Sequence, residues 1–562
     1  MSLERDNTKR KRPNILILMV DEQRFPSIYE TARLKRWCKE NLVAQELLKK
    51  NGMEFVHHYA GSTACSPSRT TLYTGQYPSL HGVTQTTGAA KGSFDPDVFW
   101  LDPNSVPTMG HYFRAAGYET YWKGKWHASD EDILIPGTHN AYASYHAKTG
   151  APTKDGVALY EKANRLDAFG FSGWIGPEPH GPSPRNSASS ARFGLSGRDE
   201  VYAADTVKLV QSLEKKASNG KDQTPWFIMC SLVNPHDIAL YGVVTARQPS
   251  FHFQVDHTLP PIPTAPTTRE SLDTKPAAHT SYRDTYPKAL QPIVNNQFYR
   301  QLYYSLQKKA DQEMLNVFKA LQQSCFYEDT IVLFTSDHGE LLGAHGGLYQ
   351  KWYNMYEESI HVPLIIHSPK LFPKSTTTDT LTSHVDILPT LLGLAGLEVE
   401  LLQKKLAKSH TEVRPFVGRD LSSFVKGKGE GPIREEPLYF MTDDDFTKGL
   451  NQTTVTGEPY ESVIQPNSIE AVITKLETGE NNQKEIWKYA RYFDNPQFSD
   501  DGKDHSTHDE YELYNLTKDP LEEKNLANED FATEESRKIQ QLLEKLLKEQ
   551  SREKRLYPKG TV

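Results

Sequence analysis

The chain reads as an α/β protein, a large and mostly parallel sheet sandwiched by helices with a smaller C-terminal antiparallel-sheet subdomain. Three observations predict it. Short, β-rich apolar runs at residues 15–20, 226–232 and 331–335 are each followed by polar residues. Helical patterns such as 33–51 and 106–116 lie between them, and strands alternating with helices build parallel sheets covered on both faces. From about Glu435 the texture changes to short strand-like runs separated by polar turns, with no long helices between them.

Taken in order, the run 15–20 is too short for a membrane span or a signal h-region and stops at Asp21, so it reads as a buried strand. The basic run 9–12 before it reads as a solvated tail. A small-residue loop, 61–64, delivers Cys65 to a helix start, with Pro67 in the first turn where a missing N–H breaks no bond. Unpaired N–H donors at such a start suit an anion. Residues 239–296 are rich in proline, threonine and histidine, lack clear periodicity, and read as an insertion forming one wall of the pocket. Helical spacing returns at 297–321 through Leu302, Leu306, Met314, Val317 and Leu321. Runs at 437–441, 470–476, 486–493 and 510–516 predict the small antiparallel sheet. Ile539, Leu542, Leu543, Leu546 and Leu547 then form a helical stripe, which docks on the protein itself or on a neighbouring subunit of a homo-oligomer. The expected divisions are a catalytic domain over 12–430, a subdomain over 431–530, and a C-terminal helix and tail over 531–562.

At 562 residues, 37% apolar and 24% charged, the composition is that of an ordinary water-soluble protein with one large core and a smaller one. A net charge of −8 gives no general attraction to nucleic acid or to an anionic membrane, so any anionic substrate needs a local basic site. The four cysteines, Cys38, Cys65, Cys230 and Cys325, lack pairing or metal spacing and point to a reducing, cytoplasmic compartment. There is no Walker loop, dinucleotide fingerprint or Cys/His zinc set.

Open α/β sheets bind ligands at the carboxyl ends of their strands. Asp21-Glu22, Asn234-Pro235-His236-Asp237 and Asp337-His338 all fall just past the three apolar runs. Three carboxylates and an imidazole at corresponding edges suit a hard divalent cation. In Lys123-Gly124-Lys125-Trp126-His127, a lysine can neutralise an anion as a point charge and a histidine can act as a base near neutrality. Lys351 follows the glycine-rich stretch 343–347.

The run Cys65-Ser66-Pro67-Ser68-Arg69, continuing into Leu72-Tyr73-Thr74-Gly75, matches the sulfatase signature. The chain resembles the type I, formylglycine-dependent sulfatases of the alkaline-phosphatase superfamily, and is arylsulfatase-like over roughly residues 12 to 530. The resemblance extends through Gly124-Lys125-Trp126-His127, Tyr356-Glu357-Glu358-Ser359-Ile360 and Val385-Asp386-Ile387-Leu388-Pro389. It implies that a separate maturation enzyme oxidises Cys65 to formylglycine (3-oxoalanine), whose hydrate is the nucleophile. It also implies one divalent metal ion held by Asp21, Glu22, Asp337 and His338 together with residue 65. Calcium is the expected ion, with manganese or zinc as used by related phosphonate and phosphodiester hydrolases. The first motif is usually Asp-Asp, and Glu22 departs from that pattern. By the same resemblance, Arg69 bonds the hydrate, Lys125 and Lys351 contact sulfate, His236 protonates the leaving group, and His127 takes a proton from the hydrate.

The implied activity is hydrolysis of small organic, chiefly aryl, sulfate monoesters; the alternative is a phosphonate monoester or phosphodiester hydrolase. A catalytically dead binding protein and an unmodified cysteine hydrolase are the remaining rivals. His57, His58, His81, His345, His361 and His384 read as structural. Tyr59, Phe99, Trp100, Trp174 and His180 are expected, with the insertion, to rim the pocket.

Overall fold

The computed structural model describes residues 12–88, 90–179, 183–189, 197–219, 224–248, 251–427, 435–495 and 507–560. His180 and residues 9–11 of the basic run lie outside the described residues.

Seven strands form the large sheet: β1 (Asn14–Asp21), β2 (Gly52–Tyr59), β3 (Glu119–Gly124), β4 (Trp226–Pro235), β5 (Thr330–Ser336), β6 (Leu364–His367) and β7 (Thr376–Ser383). Their order is β3-β4-β1-β5-β6-β2-β7, and β6 alone among them runs against its neighbours. In register, Leu16 of β1 sits between Ile228 of β4 and Val332 of β5. Period-two alternation sends Ile15, Ile17 and Met19 into the core on one face and Leu16, Leu18 and Val20 into the core on the other. Both faces are covered, which is why this run is apolar at every position.

The helical pattern over 33–51 resolves into two helices, Ala32–Asn41 and Val43–Lys50. The break at Leu42 is fixed from a distance: the Asp311 carboxylate accepts from Ala44 N at 2.8 Å and Gln45 N at 3.1 Å, capping the second helix. The insertion is not structureless. It contains the helix Ala277–Ala289, and Phe253, Leu259 and Ile262 pack against the long helix Gln297–Gln323. Burial against a partner helix supplies the order that the local pattern lacks.

A second sheet, β8 (Leu438–Thr442), β9 (Ser468–Glu477), β10 (Lys484–Phe493) and β11 (Glu510–Asn515), is antiparallel throughout in the order β11-β10-β9-β8. One face packs Phe440, Ile469 and Tyr492 onto Tyr59, Met355 and Leu381 of the larger unit. The other face receives the final helix Glu534–Lys554, whose Ile539, Leu543 and Leu547 meet Tyr439, Val472, Tyr489 and Leu513. The C-terminal stripe therefore docks on its own chain. No described helix is long and apolar enough to cross a membrane.

Leu543 is fully buried in that contact, whereas Leu542 is 49% exposed. Leu543→Ala should cost about 2–4 kcal/mol and lower the thermal unfolding midpoint. Leu542→Ala should leave the midpoint nearly unchanged, and paired thermal scans of the two variants check the docking.

Candidate active site

All six co-directional strands end at one edge, and all but β7 hand the chain to a candidate residue of the site. β1 ends on Asp21; β3 is followed by Lys125, β4 by His236, β5 by Asp337 and His338, and β7 by His384. β2 leads through a short loop to Cys65, the first residue of the helix Cys65–Thr74, every residue of which is buried. Gly124 permits the close approach at this edge. With φ 103°, a Cβ there would lie 1.9 Å from the Ser231 carbonyl oxygen, which instead accepts from Lys125 N at 3.0 Å.

Arg69 is the hub. Its Nη2 donates to Asp21 Oδ2 and its Nε to Asp337 Oδ2, both at 2.8 Å, with all three side chains fully buried. Nη1 adds the Ser231 hydroxyl at 2.9 Å and the Lys125 carbonyl at 3.1 Å. Lys125 Nζ also reaches Asp21 Oδ2, at 2.7 Å. Burial alone would raise the Asp21 pKa, but the charges of Lys125, His236 and Arg69 outweigh it and hold the group well below its usual range. Burial likewise opposes the charge of Lys125, and Asp21 restores it.

Asp21, Cys65, Asp337 and His338 bring one ligand atom each to within 4.8 Å of one another. Cys65 Sγ lies 3.1 Å from His338 Nε2 and 3.8 Å from Asp21 Oδ1. The other ring nitrogen, Nδ1, sits 3.0 Å from the Gly339 carbonyl, which orients the ring. Glu22 stands on the flank, grouped with Asp21 and His236 rather than with the tight four. Its backbone is left-handed, φ 73°, and its N–H donates to Asp337 Oδ1 at 3.0 Å. Its carboxylate is buried, and neither oxygen receives a hydrogen bond among the described residues. Burial, reinforced by the neighbouring Glu340 carboxylate, lifts its pKa well above the usual range despite Lys351. Buried carboxylate oxygens without a hydrogen bond, beside a carboxylate–imidazole cluster, fit a divalent cation.

Lys351 Nζ lies 3.4 Å from Glu22 Oε2, 3.1 Å from Gln350 Oε1 and 4.5 Å from the centre of the Trp352 ring. His236 Nε2 is 3.9 Å from the same Glu22 oxygen. His127 also has a left-handed backbone, φ 56°, and its Nε2 is 3.3 Å from the Thr87 hydroxyl. Arg69 and Lys125 thus meet at Asp21, Lys351 and His236 flank Glu22, and His127 lies beside Thr87. As a thiol, Cys65 has its pKa pushed up to about 11 by burial and by Asp21, so it carries little thiolate at neutral pH.

Two supporting residues escaped the sequence analysis. Glu178 accepts from Trp126 N at 3.0 Å and His127 N at 2.9 Å, holding the strained turn that aims His127. Burial, with Asp132 nearby, pushes its pKa up to about 7. Asp444, just past β8, accepts from Ala64 N at 3.2 Å, Trp352 Nε1 at 3.0 Å and Thr86 N at 3.0 Å. One buried carboxylate from the second sheet therefore ties together the segments carrying Cys65, Lys351 and Thr87. Neither residue belongs to a local motif, so only the tertiary contacts reveal them.

The other histidines lie outside the cluster. His384 bridges Ser68 and the Ser336 carbonyl, and His81 pairs with Thr71. His345 sits between Glu358 at 3.2 Å and Glu270 of the insertion at 3.4 Å. Of the expected rim, Trp174 and Tyr59 are buried core residues, and Phe99 and Trp100 line a separate cleft.

This sheet order, with a small antiparallel sheet packed alongside, is the alkaline-phosphatase-like architecture, and its basic groups around a cation cradle suit hydrolysis of an anionic ester. The Sulfatase family model matches residues 13–397, and the chain belongs to the sulfatase family. It is 27% identical over 479 residues to the uncharacterized sulfatase YidJ of Escherichia coli (strain K12), covering 83% of this chain and 84% of that protein. It is 26% identical over 422 residues to a choline-sulfatase of Rhizobium meliloti (strain 1021), covering 74% of this chain and 72% of that one. Among solved structures, a 2-O GAG sulfatase superposes with a TM-score of 0.60 at 18% identity, over 96% of this chain and 93% of that chain. The phosphonate monoester hydrolase of Agrobacterium radiobacter gives 0.58 at 19% identity, over 96% of each chain. At these identities the superpositions establish the fold.

Two outcomes follow from the supports. Asp444→Asn keeps the side chain's size but loses one of its acceptor oxygens, and should lower kcat by about 10–100-fold with the thermal midpoint less affected. Steady-state kinetics beside a thermal scan measure both. For His345, burial alone would lower the pKa, but Glu358 and Glu270 override it and raise it to about 9. Its charge therefore stabilises the fold fully below an unfolded value near 6.5, and that contribution fades as pH rises through about 9. Denaturation from pH 6 to 10 should show His345→Gln trailing the parent by about 3 kcal/mol at the acid end and converging with it at the alkaline end.

Proposed function

We propose that the chain hydrolyses organic sulfate monoesters to an alcohol and inorganic sulfate, using a formylglycine derived from Cys65 by a separate maturation enzyme. The observation that carries this reading is the position of Cys65. It opens a buried helix, places its sulfur within the carboxylate–imidazole cluster, and lies in the field of the Lys125 and Lys351 ammonium groups. Hydrated formylglycine supplies an oxygen nucleophile at that position. A divalent cation, for which we propose calcium, supplies charge neutralisation when held by Asp21, Glu22, Asp337 and His338.

The remaining work falls to the chain's own side chains. Arg69 locks Asp21 and Asp337 in place, while Lys125 and Lys351 offset the charge of the transferring group. His236, on the flank facing Glu22, gives its proton to the departing alkoxide. His127, held by Glu178 through its backbone, takes a proton from the second hydroxyl at residue 65 and drives release of sulfate. Cys38, Cys230 and Cys325 form no disulfide among the described residues, in keeping with the reducing, cytoplasmic setting we propose.

A phosphonate monoester or phosphodiester presents the same single negative charge, and the likeness to a phosphonate monoester hydrolase favours this as the second reading. For the organic part we propose an aryl group. The names of two relatives, a choline-sulfatase and an N-acetylglucosamine-6-O-sulfatase, make a choline ester and a saccharide ester the first comparisons.

The decisive measurement pairs the mass of the peptide containing Cys65 with activity on the same sample. An aldehyde mass that scales with turnover is expected; full activity with an intact thiol sinks the mechanism. With 4-nitrophenyl sulfate as reference, a kcat/KM more than about tenfold higher (about 1.4 kcal/mol) for phosphorus esters overturns the choice of substrate.

A further inference from the structure

Two cations that the proposed reaction does not use lie behind the strand leading to Lys125. They share the wall of a small cavity, about 10 Å³, formed by Lys123 at the end of β3, by Val157 and Ile175, and by Arg198 and Asp205 of the helix Arg198–Ser218. Arg198 is 1% exposed, yet it makes no ion pair among the described residues. Its guanidinium rests 5.0 Å from the centre of the Tyr202 ring and 5.5 Å from that of Tyr145. Nε donates to the Tyr202 hydroxyl at 3.4 Å, and the buried Nη2 has no hydrogen bond. Lys123 is partly buried and has no carboxylate partner among the described residues either; its Nζ donates to the Gly173 carbonyl at 2.6 Å. Asp205 also faces the cavity, but Lys208 engages it at 3.3 Å.

We infer that this cavity binds a single chloride ion, held between Arg198 and Lys123. A guanidinium cannot shed its proton, and a buried charge without a partner is costly. The tyrosine rings attract the cation through their faces but leave the N–H donors in its plane unsatisfied. An anion in the cavity answers both needs. It also restores the charge of Lys123, whose pKa burial pulls below its ordinary value. Size then selects the anion. A cavity of about 10 Å³ has room for about one water-sized particle. Chloride is little larger than water, whereas sulfate, phosphate and carboxylates are several atoms across, so this is not a second sulfate site. Water fits by size but brings no charge to set against the two cations.

The site backs onto segments that support the candidate catalytic groups. Gly124 lines it beside Lys123, and the chain runs on from there into Lys125 and His127. Ser144, from the same wall, donates to the Gly176 carbonyl, and Glu178 two residues on holds the backbone of His127. A bound chloride therefore braces these supports without touching the reacting groups, and its assignment does not depend on the reaction proposed above.

The test compares thermal unfolding of the full-length protein in sodium chloride and in sodium gluconate, whose anion is too large for the cavity, at equal ionic strength. Chloride should raise the midpoint by about 2 °C or more. Arg198→Met removes the charge but keeps much of the volume, and should abolish that difference. In gluconate this variant should unfold no earlier than the parent, because a buried charge without a partner has gone. A guanidinium with a merely structural role would instead lower the midpoint in both salts. Lys123→Met is the second variant if Arg198→Met does not fold, and should reduce the chloride effect by about half or more. Crystals soaked in bromide locate the halide by its anomalous scattering, and the peak should lie between Arg198 and Lys123 in the parent and be lost in the Arg198 variant. A cavity without a halide peak, a parent midpoint equal in the two salts, or a chloride effect that the variants retain in full each overturns the proposal.

Discussion

Two carboxylates face each other across adjacent strands at the centre of this protein, and a single guanidinium makes that arrangement possible. Asp21 ends β1, Asp337 follows β5, and both are fully buried. Unpaired, either charge would be driven out or protonated. Arg69 bridges them at 2.8 Å on each side. Because Arg69 is one turn along the helix that Cys65 begins, the same two contacts fix where Cys65 sits. Removing one partner of such a pair typically costs about 3–5 kcal/mol, so geometry at the reacting position and stability of the central strands are one constraint.

Around this centre the protein uses carboxylates as splints for backbone and loop. Glu178 holds the turn at His127, Asp311 starts a helix, Asp444 joins three loops, and Glu358 with Glu270 clamps His345. The last two connect the second sheet and the insertion to the candidate site. Asp444 brings the second sheet to the Cys65 and Lys351 segments. Glu270 and Thr267 brace the glycine-rich loop leading to Lys351, Thr267 accepting from His345 N at 3.0 Å.

Much of this was legible in the sequence. The strands carrying Asp21, His236 and Asp337 announced themselves as apolar runs because they are buried on both faces. The run from Cys65 to Gly75 announced the helix that begins at Cys65. β7 did not, since its threonines are half-exposed along most of an edge strand and carry no apolar signature. The helix Ala277–Ala289 was hidden by Pro287 and by side chains that pack only against distant segments. Glu178 and Asp444 were invisible for a different reason: they act on backbone N–H groups far away in the chain, and no spacing encodes that. The misplaced aromatic rim has the same origin, because sequence alone does not tell a buried Trp174 from an open Phe99.

If Cys65 is oxidised as proposed, its burial also imposes an order of events during synthesis. Its neighbours in the finished protein, Asp337, His338 and the Asp444 that holds Ala64, are encoded hundreds of residues later, and the cysteine ends up 2% exposed. Any enzyme that remodels this side chain needs the peptide extended and accessible, so it must act before β5 has docked beside β1. The interval between translation of the Cys65 segment and arrival of β5 is thus a window for chemistry. A variant that folds faster around its N-terminal half would shorten that window, and its yield of working protein would fall even though its finished structure is unchanged.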